Sequence, residues 1–171
     1  MIRRLTPGDA DPYIQLRRKA LLEEPFAFAS SPEDDQAQSP AVLQELLTSE
    51  DEAIFGCFMP QLVGVAGIYR EPGQKSRHKA QLWGVYVTKS HRGRGIGAAL
   101  VEAALGFARS QNGVRLIQLS VTERAAAALE LYRRLGFVSW GVEPDALQVG
   151  DARLAEHHMY LTLDDNERYE R

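Results

Sequence analysis

The sequence has a single cysteine and no long apolar run. Cys57 alone excludes an internal disulfide and any metal site built from several cysteines. It lies in the apolar stretch 53–59, so we expect buried strand packing rather than a reactive thiol. No stretch approaches the roughly 18 apolar residues of a membrane span, and no secretory signal pattern is present. These absences predict a cytoplasmic protein that does not associate with membranes.

Neither sign of charge dominates the composition. The chain has 20 basic and 23 acidic side chains, a formal charge of −3, which argues against a nucleic-acid partner. With 171 residues, 44% of them hydrophobic, the chain is long enough for one core and short for two. We therefore expect one domain over residues 1–163, followed by a polar tail at 164–171.

The spacing of apolar residues predicts the order β, α, α, β, β, β, α, β, α, β, β. Predicted strands cover 1–5, 53–59, 62–70, 81–88, 115–121, 137–142 and 153–163, and predicted helices cover 9–25, 41–49, 93–109 and 123–135. A long loop at 26–40 separates the first two helices. This order predicts an α+β fold, a mixed central sheet of about seven strands flanked by about four helices.

A glycine-rich helix start is the most informative stretch of the chain. After the predicted strand, Gly93, Gly95 and Gly97 alternate with Arg94 and Ile96. Glycines there let the backbone approach an anion, which the first free N–H groups of the helix can hold. The alternative is that the glycines only give the start of the helix more conformational freedom and bind no ligand. Neither a P-loop nor a dinucleotide-binding glycine pattern is matched.

Charge placement favours the anion site. Between residues 72 and 101 there is no acidic residue but there are six basic ones, namely Lys75, Arg77, Lys79, Lys89, Arg92 and Arg94. The rest of the chain has 14 basic and 23 acidic groups, a charge of −9. An anionic ligand at the helix start is predicted, although residues 75–79 also fit an ordinary solvated turn.

Two motifs resemble those of one enzyme superfamily. Arg92, Gly95 and Gly97 fit the pattern R/Q-x-x-G-x-G/A, and the stretch 129–137, LELYRRLGF, fits L-Y-x-x-x-G-F. Both resemble motifs of the GNAT (general N-acetyltransferase) superfamily, in this order and with a predicted strand between them. The resemblance extends over about residues 2–163 and implies a GNAT-like fold.

The resemblance implies transfer of an acetyl group from acetyl-CoA to a primary amine by direct attack, without a metal. The implied cofactor-binding residues are Val85, Tyr86 and Val87 for the pantetheine, and Arg92, Gly93, Arg94, Gly95, Ile96, Gly97 and Ala98 for the pyrophosphate. Tyr132 is the implied catalytic residue, a general acid that protonates the coenzyme A thiolate. The alternative for Tyr132 is packing in the core.

Three positions depart from the superfamily's pattern. Ala125 replaces an Asn that helps to bind the cofactor, and Ser120 and Gln81 replace Glu residues that can act as bases. The general base is therefore not assigned by the sequence. These departures leave open a non-catalytic acetyl-CoA-binding regulatory module and, less well supported, a nucleotide-binding regulator.

The acceptor side is predicted around the loop after the first helix. Residues 20–69 contain nine acidic and no basic residues, which suits a cationic amine on a small molecule or peptide but also an ordinary acidic surface. We expect Glu24, Phe26 and Phe28 to bind the acceptor, unless the two rings only fix the loop to the core.

Residues 141–159 resemble a C-terminal pattern of the superfamily. This resemblance implies that Glu143 and either His157 or His158 lie near the acceptor. Adjacent strand residues point to opposite faces, so the two histidines do not form a metal site together. The superfamily resemblance also implies a homodimer.

Overall fold

A computed structural model describes residues 1–163, so the predicted tail at 164–171 lies outside the described residues. It contains one seven-stranded sheet in the order β1-β2-β3-β4-β5-β7-β6. The strands are β1 Ile2–Arg4, β2 Glu52–Phe58, β3 Leu62–Arg70, β4 Lys79–Val87, β5 Leu116–Thr122, β6 Val138–Val149 and β7 Ala152–Thr162. The helices are α1 Ala10–Glu23, α2 Pro40–Thr48, α3 Ile96–Ser110 and α4 Ala126–Arg134. The predicted mixed sheet with four helices is confirmed.

The sheet consists of two antiparallel parts joined by one short parallel contact. Strands β1 to β4 are antiparallel neighbours, and so are β5, β7 and β6. Strand β4 pairs with β5 only from Lys79–Gln81 to Leu116–Gln118. Beyond Gln81 the two strands diverge, and this divergence opens a cleft between the two parts of the sheet.

Helices cover both faces of the sheet. Helix α3 buries Val101, Ala104 and Leu105 against Ala80, Leu82 and Ile117. Their spacing of three and four residues places these side chains on one face of the helix. Helices α1 and α2 cover the opposite face with Tyr13, Leu16, Ala20, Leu43 and Leu47. The cleft therefore has apolar layers above and below it.

A β-bulge at Gly84 marks the start of the divergence. Gly67 pairs with Trp83 while Val65 pairs with Tyr86, so β4 has one extra residue at this point. Gly84 has a φ of 62°, a left-handed conformation that glycine adopts without strain. Because of the extra residue, Trp83 and Tyr86 both pack on the α1 face of the sheet.

Some element boundaries differ from the predicted ones. Strand β6 continues to Val149, whereas the sequence predicted an end at 142, because the pairing with β7 passes Pro144 and Asp145 with a shifted register. Helix α3 begins at Ile96 rather than Gly93, because Gly93 and Gly95 have positive φ angles. Cys57 is buried, as predicted. Within residues 1–163, no helix is long and apolar enough to cross a membrane.

Candidate active site

A cavity of about 490 Å³ lies where β4 leaves β5. Its walls are the loop after α1, the end of β4 and the N-terminal ends of α3 and α4. Eight of the predicted cofactor-binding residues line it, namely Val85, Tyr86, Val87, Arg92, Gly93, Gly95, Ile96 and Gly97. Arg94 and Ala98 are not among the lining residues. The predicted acceptor residues Glu24, Phe26 and Phe28 also line the cavity.

The start of α3 offers a backbone site for an anion. Gly95 is the N-terminal cap, with φ 75°, and the backbone N–H of Ala99 donates to its carbonyl at 3.1 Å. The N–H groups of Ile96, Gly97 and Ala98 precede this first helical bond and are available to a ligand. A Cβ on Gly93 or Gly95 would meet no atom within 4 Å, so the backbone conformation is what calls for glycine.

Arg92 lies beside this backbone site. Its Nε donates to the Val87 carbonyl at 2.9 Å, and its guanidinium lies 5.7 Å from the centre of the Tyr86 ring. Its Nη2 donates to Glu24 Oε1 at 2.9 Å, while Lys89 Nζ is 3.9 Å from the same oxygen. Glu24 therefore neutralises part of the basic charge at this end of the cavity.

Tyr86 forms part of the cavity wall on the α1 side. Its hydroxyl donates to Glu23 Oε2 at 2.9 Å. Burial, followed by the hydrogen bond to the Glu23 carboxylate, raises the pKa of Tyr86 to about 12. Tyr86 is therefore a neutral hydrogen-bond donor at neutral pH.

Tyr132 lies in the core beneath α4 rather than in the cavity wall. Its ring packs edge-to-face on Phe137 with centroids 5.8 Å apart, and burial raises the pKa of its phenol well above the usual value. Within residues 1–163 no hydrogen-bond partner reaches its hydroxyl. Ala128 and Ala125, one and two turns earlier on the same face, line the cavity. Helical side chains lean toward the N-terminus, so the Tyr132 ring leans toward that wall.

The loop after α1 is fixed to the sheet at several points. Thr122 Oγ1 donates to the Phe26 carbonyl at 2.6 Å, and Arg124 lies 4.5 Å from the centre of the Phe26 ring. Phe28 packs on Tyr86 with centroids 6.5 Å apart. The two rings thus hold the loop in place and also line the cavity, and their binding of the acceptor stays a prediction.

A buried ion pair, which sequence reasoning missed, anchors the same loop. Arg17 Nε and Nη2 donate to the two carboxylate oxygens of Asp35 at 3.0 and 2.9 Å, and the two side chains are only 5% and 4% exposed. The guanidinium lies 5.1 Å from Phe28 and 5.7 Å from Trp83. Its Nη1 is buried without a partner among residues 1–163, beside Gly84. The available signal was an arginine one turn from Tyr13 on the apolar face of α1.

A polar chain crosses three strands on the α1 face of the sheet. Ser120 Oγ on β5 is 3.0 Å from His158 Nδ1 on β7, and His158 Nε2 is 2.9 Å from Glu143 Oε2 on β6. His157 is paired with the buried Val121 and so faces the opposite side of the sheet. Of the two histidines proposed from the sequence, the structure joins His158 to Glu143.

Glu156 completes a group of possible metal ligands with Glu143 and His158. One ligand atom from each lies within 4.8 Å of the others. Sequence reasoning considered only the adjacent histidines and missed this grouping, because its members come from two strands. The absence of a metal stays a prediction.

Comparison with known proteins identifies the family. The Acetyltransferase (GNAT) family profile matches residues 15–137, and the chain therefore belongs to this family. Among solved structures, a GNAT acetyltransferase from Streptococcus pneumoniae superposes with a TM-score of 0.85 at 21% identity, covering 95% of this chain and 99% of that one. Salmonella typhimurium yncA, solved with its cofactor acetyl-CoA, gives a TM-score of 0.84 at 19% identity and covers 99% and 97%. At such identities the likeness concerns the fold.

The curated relatives are longer proteins. Mycothiol acetyltransferase of Salinispora tropica is 33% identical over 150 residues, which cover 81% of this chain and 45% of that protein. Streptothricin acetyltransferase of Streptomyces lavendulae is 39% identical over 79 residues, 46% of this chain and 41% of that protein. The chain thus spans less than half the length of these two relatives.

Proposed function

We propose that the protein transfers an acetyl group from acetyl-CoA to the primary amine of a small molecule or peptide. One observation carries the proposal: one cavity is lined both by the glycine-rich start of α3 and by residues 85–87 of β4, which lie beyond the last β4–β5 pair at Gln81. The first feature suits the pyrophosphate of a coenzyme A, and the second provides backbone donors for a thioester carbonyl. The family to which the chain belongs supports the same reaction.

The cofactor is held mainly by backbone groups. The N–H groups around Gly95 and Gly97, with the positive end of the α3 dipole, bind the pyrophosphate, and Arg92 adds a charged contact. Val85 and Val87 lie past the last β4–β5 pair, so their backbone can pair with the pantetheine amides. The cavity therefore fits the group that the reaction requires.

The reaction is a direct transfer in this proposal. The acceptor nitrogen attacks the thioester carbon, and backbone N–H groups of β4 near the Gly84 bulge stabilise the negative oxygen. The C–S bond then breaks, and the sulfur takes a proton from Tyr132. Burial keeps the Tyr132 phenol protonated, and a poorly solvated thiolate is also a stronger base than one in water.

A panel of acceptors tests this function, with release of free thiol as the readout. The panel includes polyamines, aminoglycosides, amino acids and peptide N-termini, together with streptothricin and L-methionine sulfoximine, which the names of two relatives suggest. We expect at least one amine to increase thiol release well above the rate of acetyl-CoA hydrolysis. Tight binding of acetyl-CoA without acceptor-dependent thiol release would contradict transfer.

That negative outcome would favour the second candidate, a non-catalytic acetyl-CoA-binding module. Two observations motivate it: Ala125 occupies the cavity wall where related sequences have Asn, and Tyr132 lies outside the cavity lining. A thermal-shift comparison of coenzyme A with nucleotides separates both candidates from a nucleotide-binding regulator. The cytoplasmic location and the homodimer stay predictions.

A further inference from the structure

We propose that Ser120, His158 and Glu143 form a proton relay that takes the proton from the acceptor ammonium. The inference rests on the proposed transferase function and supplies the general base that the sequence leaves unassigned. Ser120 contacts the amine, and His158 acts as the base behind it. Glu143 positions the imidazole.

The register of the sheet places Ser120 two residues beyond the last β4–β5 pair, where the cleft opens, although Ser120 is not among the residues that line the cavity. Gln81 pairs with Gln118, and their side chains are joined by a hydrogen bond of 3.1 Å on one face of the sheet. Ser120 is two residues further along β5 and therefore points to that same face. Its position is level with Trp83, next to the bulge at Gly84 where the strands diverge. Ser120 is exposed there, so an acceptor can reach its hydroxyl.

The two hydrogen bonds of His158 give its ring nitrogens different roles. A carboxylate only accepts hydrogen bonds, so Nε2 carries the proton that is shared with Glu143 at 2.9 Å. The Nδ1 lone pair then faces the Ser120 hydroxyl at 3.0 Å. This tautomer is the one that a base acting through serine requires. A serine hydroxyl alone cannot hold an ammonium proton, whereas the imidazole behind it can.

The proton transfer balances without any further reactant. The ammonium N–H proton moves to Ser120 Oγ while the Ser120 hydroxyl proton moves to His158 Nδ1. The freed nitrogen lone pair attacks the thioester, and the C–S bond breaks while Tyr132 protonates the sulfur. The nitrogen carries one proton too many once the C–N bond has formed, and it releases this second proton to solvent. The imidazolium also returns its proton to solvent and the Tyr132 phenolate regains one, so that one proton is released for each ammonium acetylated.

The groups around His158 suit a transient positive charge. Glu143 faces it from β6, and Glu156 is its neighbour on the same face of β7. Burial raises the pKa of Glu156. The charge of His158 acts in the opposite direction, and the charge of Glu143 raises this pKa further. Ser120 faces His158 from β5, and Tyr160 lies further along the same face of β7. The centres of the Trp140 and His158 rings are 5.4 Å apart. The acidic groups stabilise an imidazolium, and Trp140 covers one side of the ring.

Two acceptors separate the relay from the transferase function itself. One is the most active alkylammonium compound of the panel, and the other is hydroxylamine, which is already neutral near pH 7 and needs no base. We expect Ser120→Ala and His158→Gln to lower kcat/KM for the alkylammonium by about 100-fold or more. Both variants should keep hydroxylamine activity within about threefold. His157→Gln, on the opposite face, should match the wild type with both acceptors.

The pH profile reports on His158 directly. In the wild type kcat/KM for the alkylammonium should depend less steeply on pH than the fraction of free amine does, whereas in His158→Gln it should rise in proportion to the free amine. Nitrogen-15 NMR of the wild type should show Nε2–H and an unprotonated Nδ1. An unchanged profile in His158→Gln, or the opposite tautomer, would overturn the relay.

Three other outcomes also overturn it. Equal losses with both acceptors indicate a structural role. An acetyl group on Ser120, detected by intact-mass spectrometry, indicates a covalent route. Activity that EDTA removes and Zn²⁺ restores, and that Glu156→Gln also removes, assigns the cluster to a metal. If the wild type acetylates neither acceptor, the proposed function has failed, and the relay fails with it.

Discussion

The two sides of the cleft are built in different ways. The proposed cofactor side comes from one continuous stretch, 85–98, and depends on backbone N–H groups and glycine conformations. The proposed acceptor side combines α1, the loop after it, β5 and the β6–β7 hairpin, and depends on contacts between distant side chains such as Arg17 with Asp35. An anion site made of backbone can be encoded locally, whereas a site made of side-chain networks requires the complete fold.

The two sides also differ in how charge is compensated. At the cofactor side Arg92 and Glu24 form a partly exposed pair, with 44% and 30% of their side-chain surface accessible. At the acceptor side Arg17 and Asp35 are almost completely buried. Exposed pairs contribute little to stability, while breaking a buried pair leaves a charge without a partner. Changes to the acceptor side should therefore affect folding, and changes to the cofactor side should affect binding.

Tyr132→Phe should have the largest effect, because Tyr132 is the proposed link between the two sides. We expect kcat to fall by about 100- to 10,000-fold, since the thiolate loses its proton donor. The affinity for acetyl-CoA should stay within about twofold, and unfolding should change little because the hydroxyl has no hydrogen-bond partner among residues 1–163. Stopped-flow thiol release and calorimetry measure the two quantities, with Tyr69→Phe on β3 as control. Unchanged turnover would remove Tyr132 from the mechanism.

Arg17→Met should cost about 3–5 kcal/mol of unfolding free energy, because Asp35 stays buried without its partner. The matched control is Lys19→Met on the same helix, whose exposed pair with Glu23 at 3.8 Å contributes roughly 0.3–0.5 kcal/mol. The double variant Arg17→Met/Asp35→Leu should recover much of the loss. Urea unfolding measures all three variants. Equal costs for Arg17→Met and Lys19→Met would contradict the contrast between the two sides.

Gly95→Ala should weaken acetyl-CoA binding by about 5- to 30-fold. A side chain at φ 75° costs about 1–2 kcal/mol. The turn avoids this cost by adopting another backbone conformation, in which its N–H groups no longer hold the anion. Gly106→Ala in the same helix is the control, because its Cβ meets nothing within 4 Å and its φ is not positive. It should stabilise the fold by up to about 1 kcal/mol and leave binding unchanged. If calorimetry gives the same acetyl-CoA affinity for Gly95→Ala and the wild type, this backbone conformation is not needed for binding.

Glu24→Gln should have the smallest effect, an increase in acetyl-CoA affinity of about two- to fivefold. In this variant no carboxylate neutralises the positive charges of Arg92 and Lys89. The two side chains therefore attract the anionic ligand more strongly. The difference should shrink as salt is added, because exposed charges are screened. Calorimetry at two salt concentrations measures it. Unchanged cofactor affinity with a raised KM for the acceptor would instead assign Glu24 to the acceptor, as predicted from the sequence.

The sequence predicted the order of the elements well, for a local reason. The spacing of apolar residues in α3 and β5 follows from the geometry of each element, and the glycines before Ile96 act within a few residues. That these glycines hold the cofactor stays a prediction. The second half of β6 was missed, because Pro144 and Asp145 interrupt the strand pattern whereas the pairing continues beyond them with a shifted register. Arg17 was missed because its partner lies in a loop that has no periodic pattern.

By itself, then, the sequence determined the seven-stranded architecture and the glycine-rich start of α3, since both follow from interactions between near neighbours. Only the tertiary structure decided which distant side chains meet. The register of β5 with β7 and of β7 with β6 brings Ser120, His158 and Glu143 together. Strand register depends on pairing between distant segments, so no local pattern in the chain specifies which of two adjacent histidines faces the cleft.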